Sequence, residues 1–478
     1  MNTANDSTSA LLRTTLEAAL KRQRAAYLAN PVPDHESRCA DLRKLERFVR
    51  EHQDAICDAI SADYGNRSRH ETLLTEIMPV LKGIHHTLKQ LKRWMKPQRR
   101  GIDRLAFGLA SNRVIPQPLG VVGVIVPWNF PLNLSLLPLT AIFAAGNRAM
   151  VKMSENSRHL AKLLIKEMPG YFPEEKLQFF DETGGVGIAF SSLPFDHLLF
   201  TGSGTTGRAV MAAAAANLCP VTLELGGKSP AIVCEDFPLR TAVERLLYVK
   251  YLNAGQICTT VDHVYVPQRR IKEFMRLAQE IMPRRYPKLD SPDYTAIIDE
   301  IAYARLLHAL DEAKQRGAQV IPLIPGKPFD AKLRKIAPHI VLDAPADCLL
   351  MQREIFGPIL PVIAYEDLED DVIKRINAGP RPLALYPFTN DKAVQVQLLT
   401  RVMSGGVSIN DALFHVGQEE LPFGGVGASG MGHYHGFEGF LTFSKLRPVF
   451  HQARFSTAKL LAPPYGPLTD KLLKFLLK

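Results

Sequence analysis

The sequence predicts an α/β protein with mainly parallel sheets and more than one domain. The chain has 478 residues, which is more than one ordinary hydrophobic core organises. From about residue 113, short apolar runs alternate with helical segments, and this alternation is typical of parallel sheets. Apolar residues make up 46% of the chain and charged residues 22%, as in folded globular proteins.

The first hundred residues have a helical pattern, and strands follow. Leucine, isoleucine and valine recur at helical spacing over residues 37–63 and again over 73–95. Residues 121–126 then form a nearly continuous β-branched run, as a strand buried on both faces requires. A second α/β series begins near Glu224. Beyond 121–126, we predict strands at 149–152, 177–180, 197–200, 231–234 and 263–266, and a helix at 158–168.

Cysteine usage and hydropathy predict a cytoplasmic protein. The six cysteines show no CxxC pair and no regular spacing, which argues against a zinc site or a disulfide framework. The first residues lack the basic flank and apolar stretch of a signal peptide. The longest apolar region, 130–146, is interrupted by Pro131 and Pro138 and is shorter than the roughly 20 residues of a membrane span.

The net charge of +10 raises the question of a nucleic-acid partner. Basic residues cluster at 92–100 around Trp94, and such a patch can contact phosphates. We favour the solvated end of a helix stopped by Pro97, and expect no nucleic-acid partner, because no recognition module accompanies the patch. The tail, 470–478, spaces lysines among leucines as a short membrane-surface helix does, but we favour its packing against protein.

A glycine pattern suggests a dinucleotide site. Gly202, Gly204 and Gly207 form a G-x-G-x-x-G pattern between a predicted strand and an alanine-rich helix. Glu224 lies twenty residues beyond Gly204, where an ordinary dinucleotide fold places its ribose-binding acid. At least three strand–helix units precede the pattern, whereas the usual fingerprint occupies the first. The helix N-terminus can still attract phosphate, but the role of Glu224 needs other observations.

Cys258 stands in a small polar stretch, Asn-Ala-Gly-Gln-Ile-Cys-Thr-Thr, between a helical segment and a strand. A packed cysteine usually has apolar neighbours, whereas this one follows a glycine and a glutamine. By itself the pattern favours a buried, inert thiol. Together with three other segments it suggests a nucleophile, and those segments are 127–131, 223–228 and 354–358.

Six short segments of the chain together form a recognisable pattern. They are Pro-Trp-Asn-Phe-Pro at 127–131, Phe-Thr-Gly-Ser at 200–203, Glu-Leu-Gly-Gly-Lys at 224–228, Gly-Gln-Ile-Cys at 255–258, Glu-Ile-Phe-Gly-Pro at 354–358 and Pro-Phe-Gly-Gly-Val-Gly-Ala-Ser-Gly at 422–430. In order and spacing they resemble the aldehyde dehydrogenase superfamily, and the resemblance runs from about residue 40 to 450. Residues 382–386 resemble the class 3 branch, whose members oxidise aromatic and medium-chain aldehydes, and the chain looks most like bacterial coniferyl-aldehyde dehydrogenases.

The resemblance implies the chemistry of four residues. Cys258 would add to the aldehyde carbon as a thiolate, forming a thiohemiacetal that becomes a thioester. The amide of Asn129 and the backbone N–H of Cys258 would hold the oxyanion. Glu224 would be the base that activates water against the thioester, although Glu354 could share this task.

The resemblance also implies NAD as cofactor, with NADP use left open. Lys152 and Glu155 would contact the adenine ribose, and a carboxylate there favours a free 2′-hydroxyl. Met153 stands where the family usually has proline. The remaining implied cofactor contacts are Trp128, Gly202, Ser203, Gly207, Glu354 and Phe356. No metal is expected, since the histidines at 85–86 and at 433 and 435 show no ligand pattern.

The resemblance further implies the organisation of the chain. Residues 1–100 and 118–224 would bind NAD, 225–435 would carry the thiol, and 101–117 with 436–450 would form a small β extension for oligomerisation, giving a homodimer with a tail at 451–478. Tyr64, Phe130 and Phe414 either line a substrate tunnel or pack in the core.

Two other functions stay open at this point. One is a CoA-acylating semialdehyde dehydrogenase, whose members generally lack a glutamate at the position of Glu224. The other is a non-catalytic nucleic-acid binder on the same scaffold.

Overall fold

The computed structural model describes residues 2–183, 185–454, 456 and 462–477. The N-terminal part is helical, as predicted, but the predicted segment 37–63 divides at His52 and 73–95 begins with a π-helical turn, Leu73–Ile77. The helices are α1 (Asn2–Ala29), α2 (His35–Glu51), α3 (Gln53–Tyr64), α4 (Arg69–Thr72) and α5 (Met78–Trp94).

A six-stranded sheet follows, in the order β17-β7-β6-β3-β4-β5. All its pairs are parallel except that of β17 with β7. Its strands are β3 (Val121–Ile125), β4 (Arg148–Lys152), β5 (Leu177–Phe180), β6 (His197–Gly202), β7 (Val221–Leu225) and β17 (Gly430–Met431), and its helices are α7 (Asn133–Ala145), α8 (Arg158–Glu167), α9 (Val186–Ser191) and α10 (Gly204–Ala215). Helices α2, α5 and α7 share one core with β3 and β4, so the N-terminal helices cover this sheet.

A seven-stranded sheet has the order β10-β13-β14-β9-β8-β15-β16, with only β10 antiparallel. Its strands are β8 (Pro230–Val233), β9 (His263–Pro267), β10 (Gln319–Pro322), β13 (His339–Leu342), β14 (Ile359–Tyr365), β15 (Ala384–Phe388) and β16 (Gly406–Val407). The helices between them are α11 (Leu239–Tyr251), α12 (Ile271–Arg285), α13 (Glu300–Gln315), α14 (Leu349–Gln352), α15 (Lys374–Ala378) and α16 (Lys392–Arg401), and β11 (Phe329–Asp330) pairs with β12 (Lys335–Ile336). The predicted α/β class with mainly parallel sheets is thus confirmed.

A three-stranded antiparallel sheet joins distant parts of the chain. It contains β1 (Gln98–Arg100), β2 (Ser111–Pro118) and β18 (Ser444–His451), with β2 in the middle. The segments predicted as extension strands are therefore only partly strand. Within 101–117 lies helix α6 (Arg104–Phe107), and within 436–450 lies helix α17 (Gly436–Thr442).

The tail contains helix α18 (Pro467–Leu476). Its large apolar side chains are exposed to between 41% and 62% at Leu468, Leu473 and Phe475, whereas Thr469 is buried. Packing of the tail against the chain's own body or a partner subunit therefore stays a prediction. None of the helices described here is long and apolar enough to cross a membrane.

Candidate active site

The carboxyl ends of four neighbouring parallel strands meet at one edge of the first sheet. Strand β3 leads into Trp128 and Asn129, β4 ends at Lys152, β6 ends at Gly202, and β7 carries Glu224 next to its end. Ligands of open α/β sheets bind outside such strand ends. The sheet therefore brings these predicted residues to one edge.

Cys258 lies on a turn with unusual backbone geometry. Asn253, Ala254 and Gly255 have φ values of 51°, 49° and 73°, in the left-handed region that non-glycine residues rarely adopt. A Cβ on Gly255 would lie 2.3 Å from the carbonyl oxygen of Gly357. The turn therefore packs directly against the loop that contains Glu354.

Side chains of the turn hold this geometry. The buried Gln256 donates to the carbonyls of Asn253 and Ala296, each at 3.0 Å, and its side-chain oxygen accepts the backbone N–H of Ile298 at 3.0 Å. The backbone N–H of Asn253 donates to the carboxylate of Glu71 at 3.2 Å. Because the left-handed residues cost backbone energy, these bonds keep the thiol in place.

Asn129 is fixed against the same turn. Its amide nitrogen donates to the carbonyl of Gln256, two residues before the thiol, at 3.2 Å. The backbone carbonyl of Asn129 accepts hydrogen bonds from the Tyr64 hydroxyl and the Arg67 guanidinium, each at 3.0 Å. Arg67 forms a fully buried ion pair with Glu76 at 2.9 Å. Tyr64 therefore positions Asn129 from within the core and does not line the cavity.

The Cys258 thiol is partly exposed, while the other five cysteines are buried and all six are free. Burial, together with the carboxylates of Glu354 and Glu224, raises the pKa of this thiol to about 12. The backbone N–H groups of Thr259 and Cys258 oppose this effect. The resting thiol is therefore protonated at neutral pH, and its proton must leave before it can act as a nucleophile.

Glu224 is almost completely buried, and neither carboxylate oxygen has a hydrogen-bond partner in the described part of the chain. Burial raises its pKa well above the ordinary value for glutamate. Its strand neighbours are Thr201 on β6 and Gly430 on β17. A buried carboxyl without donors is a candidate proton carrier, since its neutral and charged forms are closer in energy than in water.

Glu354, the second glutamate of the predicted site, differs from Glu224 in its hydrogen-bond donors and neighbouring charges. Burial raises its pKa to about 8, with Asp262 adding to the effect, while the backbone N–H of Gly227 and the charge of Lys228 oppose it. A Cβ on Gly226 would lie 2.0 Å from a Glu354 oxygen, so only glycine leaves room for this carboxyl. The other oxygen, Oε1, is buried without a partner.

Lys250 is a buried cation that sequence reasoning missed. It lies in helix α11, fully buried, and its ammonium nitrogen has no partner among the described residues. Burial lowers its pKa to about 8, while the charges of Asp262 and Glu354 oppose that effect. The sequence did not indicate that this lysine is buried, because only the fold brings it close to Asp262 and Glu354.

An apolar cavity of about 230 Å³ reaches the thiol. Phe130 and Phe414 line it, and Phe130 is also buried against Leu252 and Ile257, so Phe130 belongs to both the cavity wall and the core. Its apolar and aromatic lining also includes Leu74, Met78, Leu134, Leu137, Tyr248, Leu252, Ile257, Leu413, Val416, Phe423 and Tyr434. A mostly apolar cavity with few polar groups is typical of a site for a small organic substrate.

A second cavity of about 310 Å³ lies between the first sheet and helix α10. Lys152, Glu155 and Glu182 line it, and Lys152 forms an ion pair with Glu182, which the sequence did not single out. Ser203 caps α10 by accepting the backbone N–H of Thr206 at 3.2 Å. The pattern Gly202–Gly207 thus forms the strand-to-helix turn expected at a phosphate site.

Two aromatic side chains of the predicted cofactor site contact each other. Trp128 and Phe356 meet edge to face with ring centroids 5.4 Å apart. Phe356 has a φ of 49°, so this position also holds a strained backbone.

The polar groups near the strand ends fit a dinucleotide. The Glu354 oxygen Oε1, which has no partner among the described residues, can accept a hydrogen bond from a ribose hydroxyl. The N-terminus of helix α10 offers backbone N–H donors for a phosphate. The described residues contain no group of histidine, cysteine or acidic side chains that could hold a metal ion.

Comparison with known proteins gives one consistent result. Residues 2–449 match the aldehyde dehydrogenase family. The chain is 52% identical over 458 residues to the "Probable coniferyl aldehyde dehydrogenase" of Pseudomonas aeruginosa, covering 96% of this chain and 95% of that protein. It is 37% identical to human aldehyde dehydrogenase family 3 member B1, covering 96% of each. A substrate-bound structure of AldH from Staphylococcus aureus superposes with a TM-score of 0.90 at 32% identity, covering 97% of this chain and 99% of that one.

Proposed function

The chain belongs to the aldehyde dehydrogenase family and is an NAD(P)-dependent enzyme of that class, and we propose that it oxidises aromatic aldehydes of the coniferaldehyde type to their acids. The resemblance to coniferyl and class 3 aldehyde dehydrogenases is confirmed by the relatives. The observation that carries the proposal is that an aromatic-walled cavity reaches Cys258, with Asn129 held against the same turn and two glutamates acting electrostatically on the thiol.

The proposed reaction begins when the partly exposed Cys258 thiol releases its proton to solvent water and its sulfur adds to the aldehyde carbon. The carbonyl oxygen gains the electron pair and becomes an oxyanion, for which the Asn129 amide and the Cys258 backbone N–H are donors. Bound NAD(P) supplies the hydride acceptor that allows this adduct to become a thioester. Water then adds to the thioester, a glutamate takes its proton, and the carbon–sulfur bond breaks to release the acid and the cysteine.

We assign the water-activating role to Glu224. Both of its oxygens lack hydrogen-bond partners among the described residues, whereas Glu354 already accepts the backbone N–H of Gly227. Glu354, with its free Oε1, would hold a ribose hydroxyl. Lys250 and Lys228 lie near enough to affect Glu354 and Asp262 electrostatically.

We propose NAD as the preferred cofactor. Lys152 is neutralised by Glu182, and Glu155 adds a second carboxylate to the same cavity, so a 2′-phosphate would meet net negative charge.

Replacing Glu155 and Glu182 with glutamine should raise the ratio of NADP-dependent to NAD-dependent kcat/KM by roughly 10-fold or more, measured as reduced cofactor formed from one aldehyde. An unchanged ratio would contradict the assignment.

A panel of aldehydes with two cysteine variants tests the function. Wild-type protein should produce NADH and acid from coniferaldehyde, without added CoA. Cys258→Ala should abolish NADH formation and keep NAD binding, whereas the control Cys219→Ala should keep both, because Cys219 packs in the core around β6 and β7. A need for CoA would favour the acylating alternative, and turnover by Cys258→Ala would disprove the assignment. Salt-sensitive nucleic-acid binding without turnover would support the non-catalytic alternative.

We further propose that the protein works as a homodimer in the cytoplasm. Six free thiols suit a reducing compartment, and the three-stranded sheet offers an exposed edge strand for assembly. The assignment of 1–100 and 118–224 to NAD and of 225–435 to the thiol also remains a proposal.

A further inference from the structure

The wall of the substrate cavity contains a carboxylate among mostly apolar and aromatic side chains. Glu419 lies in the turn after the short helix Phe414–Gly417 and before β17, and it lines the cavity that reaches Cys258. Most of the lining is apolar or aromatic, and Glu419 is the only carboxylate of that lining within the described residues. Neither the thiol chemistry nor the cofactor site uses it.

The Glu419 carboxylate faces helix α5. Its two oxygens lie 3.3 and 3.7 Å from the point that a Cβ on Gly83 would occupy, so the missing side chain of that glycine leaves room for the carboxylate. Within the described residues no hydrogen bond or ion pair engages it. Partial burial raises its pKa to about 7, and the only opposing effect comes from the charge of Lys82.

An ionised carboxylate in an apolar wall is costly unless a donor reaches it. A hydroxyl group on the substrate would supply such a donor. Aliphatic aldehydes and cinnamaldehyde carry no hydrogen-bond donor, whereas a 4-hydroxycinnamaldehyde carries a phenolic hydroxyl at the opposite end of the molecule from the aldehyde. The aromatic members of the same cavity lining, including Phe423 and Tyr434, are suited to the ring that joins these two ends.

We propose that Glu419 is a specificity-determining residue, whose carboxylate accepts a hydrogen bond from the phenolic hydroxyl of a 4-hydroxycinnamaldehyde while the aldehyde carbon lies at Cys258. The inference rests on the proposed function, because it assumes that the aldehyde enters through this cavity. It goes further by naming the substrate group that the enzyme distinguishes and the side chain that does so. A site that bonds a substrate hydroxyl rejects analogues that lack it, because its own polar group is then left unpaired.

The test compares substrates that differ in this donor. Coniferaldehyde and 3,4-dimethoxycinnamaldehyde share ring and chain, but the second has a methyl ether in place of the phenol. Wild-type kcat/KM should be at least about 10-fold higher for coniferaldehyde. In Glu419→Leu, kcat/KM for coniferaldehyde should fall about 10- to 100-fold, while that for unsubstituted cinnamaldehyde should stay within a few-fold.

Two further variants separate this effect from damage to the fold. Glu419→Gln keeps an acceptor oxygen and should retain part of the discrimination. Glu420→Leu removes the neighbouring carboxylate, which is exposed and does not line the cavity, and should leave the discrimination unchanged. Coniferaldehyde should also bind Cys258→Ala more tightly than it binds the double variant with Glu419→Leu, as measured by fluorescence without turnover.

Each contrary outcome points to a different failure. Equal losses for all three aldehydes in Glu419→Leu, or an unchanged preference for the phenol, would overturn the role of Glu419 while the aldehyde dehydrogenase assignment stands. Oxidation of none of the aldehydes by the wild type would overturn the proposed function and this inference together.

Discussion

At the scale of single residues, two glutamate side chains of the candidate site have different properties because their surroundings differ. Glu224 and Glu354 both act electrostatically on the Cys258 thiol, but in the part of the chain that the structure describes Glu224 has no hydrogen-bond donor and Glu354 has one backbone donor. The motifs alone identified both as site residues and left the choice of base open, because burial and donor geometry are absent from a sequence. Lys250 and Glu419 were missed for the same reason, since each gains its meaning from residues far away in the chain.

The first prediction separates the two glutamates. Glu224→Gln should lower steady-state kcat by about 10²- to 10⁴-fold while leaving a burst of one NADH per subunit, because only thioester hydrolysis needs the base. Glu354→Gln should mainly raise KM for NAD. Stopped-flow fluorescence and mass spectrometry of the quenched thioester measure both effects, and loss of the burst in Glu224→Gln would contradict the assignment.

The sign of the pH dependence follows from the raised pKa of Glu224. Only the ionised carboxylate can take a proton from water, so the rate of thioester hydrolysis should rise as pH increases through that raised pKa and should level off above it. Single-turnover decay of the thioester from pH 5 to 9 measures this profile. Glu224→Gln should flatten it, and a wild-type rate that falls over the same range would disprove the role.

At the scale of elements, regular segments were predictable and special turns were not. The β-branched run at 121–126 and the helix at 158–168 appear as β3 and α8, because their side-chain pattern reports burial directly. The left-handed residues 253–255 have no such pattern, since contacts from other parts of the chain hold them. The two-residue strand β17, which pairs beside Glu224, is too short to be recognised without its partner.

The element-scale prediction concerns the contact between the turn that carries Cys258 and the loop that carries Glu354. Gly255→Ala would place a methyl group against the Gly357 carbonyl and push the thiol turn away from Glu354, so kcat should fall about 100-fold. Gly317 is the matched control, because its φ of 96° is also left-handed but nothing lies near its missing side chain. Gly317→Ala should lose a similar amount of backbone stability, on the order of 1 kcal/mol, and keep its activity. Equal kcat for both variants would show that the loop contact is unimportant.

At the scale of the whole molecule, two mainly parallel sheets and their connecting loops carry the residues of the candidate site, and a third small sheet joins distant parts of the chain. The order of the motifs predicted the first two, since each strand–helix series forms its own sheet. The three-stranded sheet was predicted only in part. Its strand β1 lies before the predicted segment, and helix α17 occupies the first half of the other, because long-range pairing decides which residues become strand.

The proposed dimer is testable at this small sheet. Strand β18 forms its outer edge, and Leu446 and Phe450, which share one face of the strand, are 39% and 49% exposed. Phe107 contacts Phe450 edge to face, which extends this exposed apolar face. Replacing Leu446 and Phe450 with glutamate should convert a dimer of about twice the 53.1 kDa chain into a monomer, as measured by light scattering after gel filtration. The matched control is Phe475→Glu on the exposed face of α18, which should leave the dimer intact; dissociation by the control alone would place the interface on the tail instead.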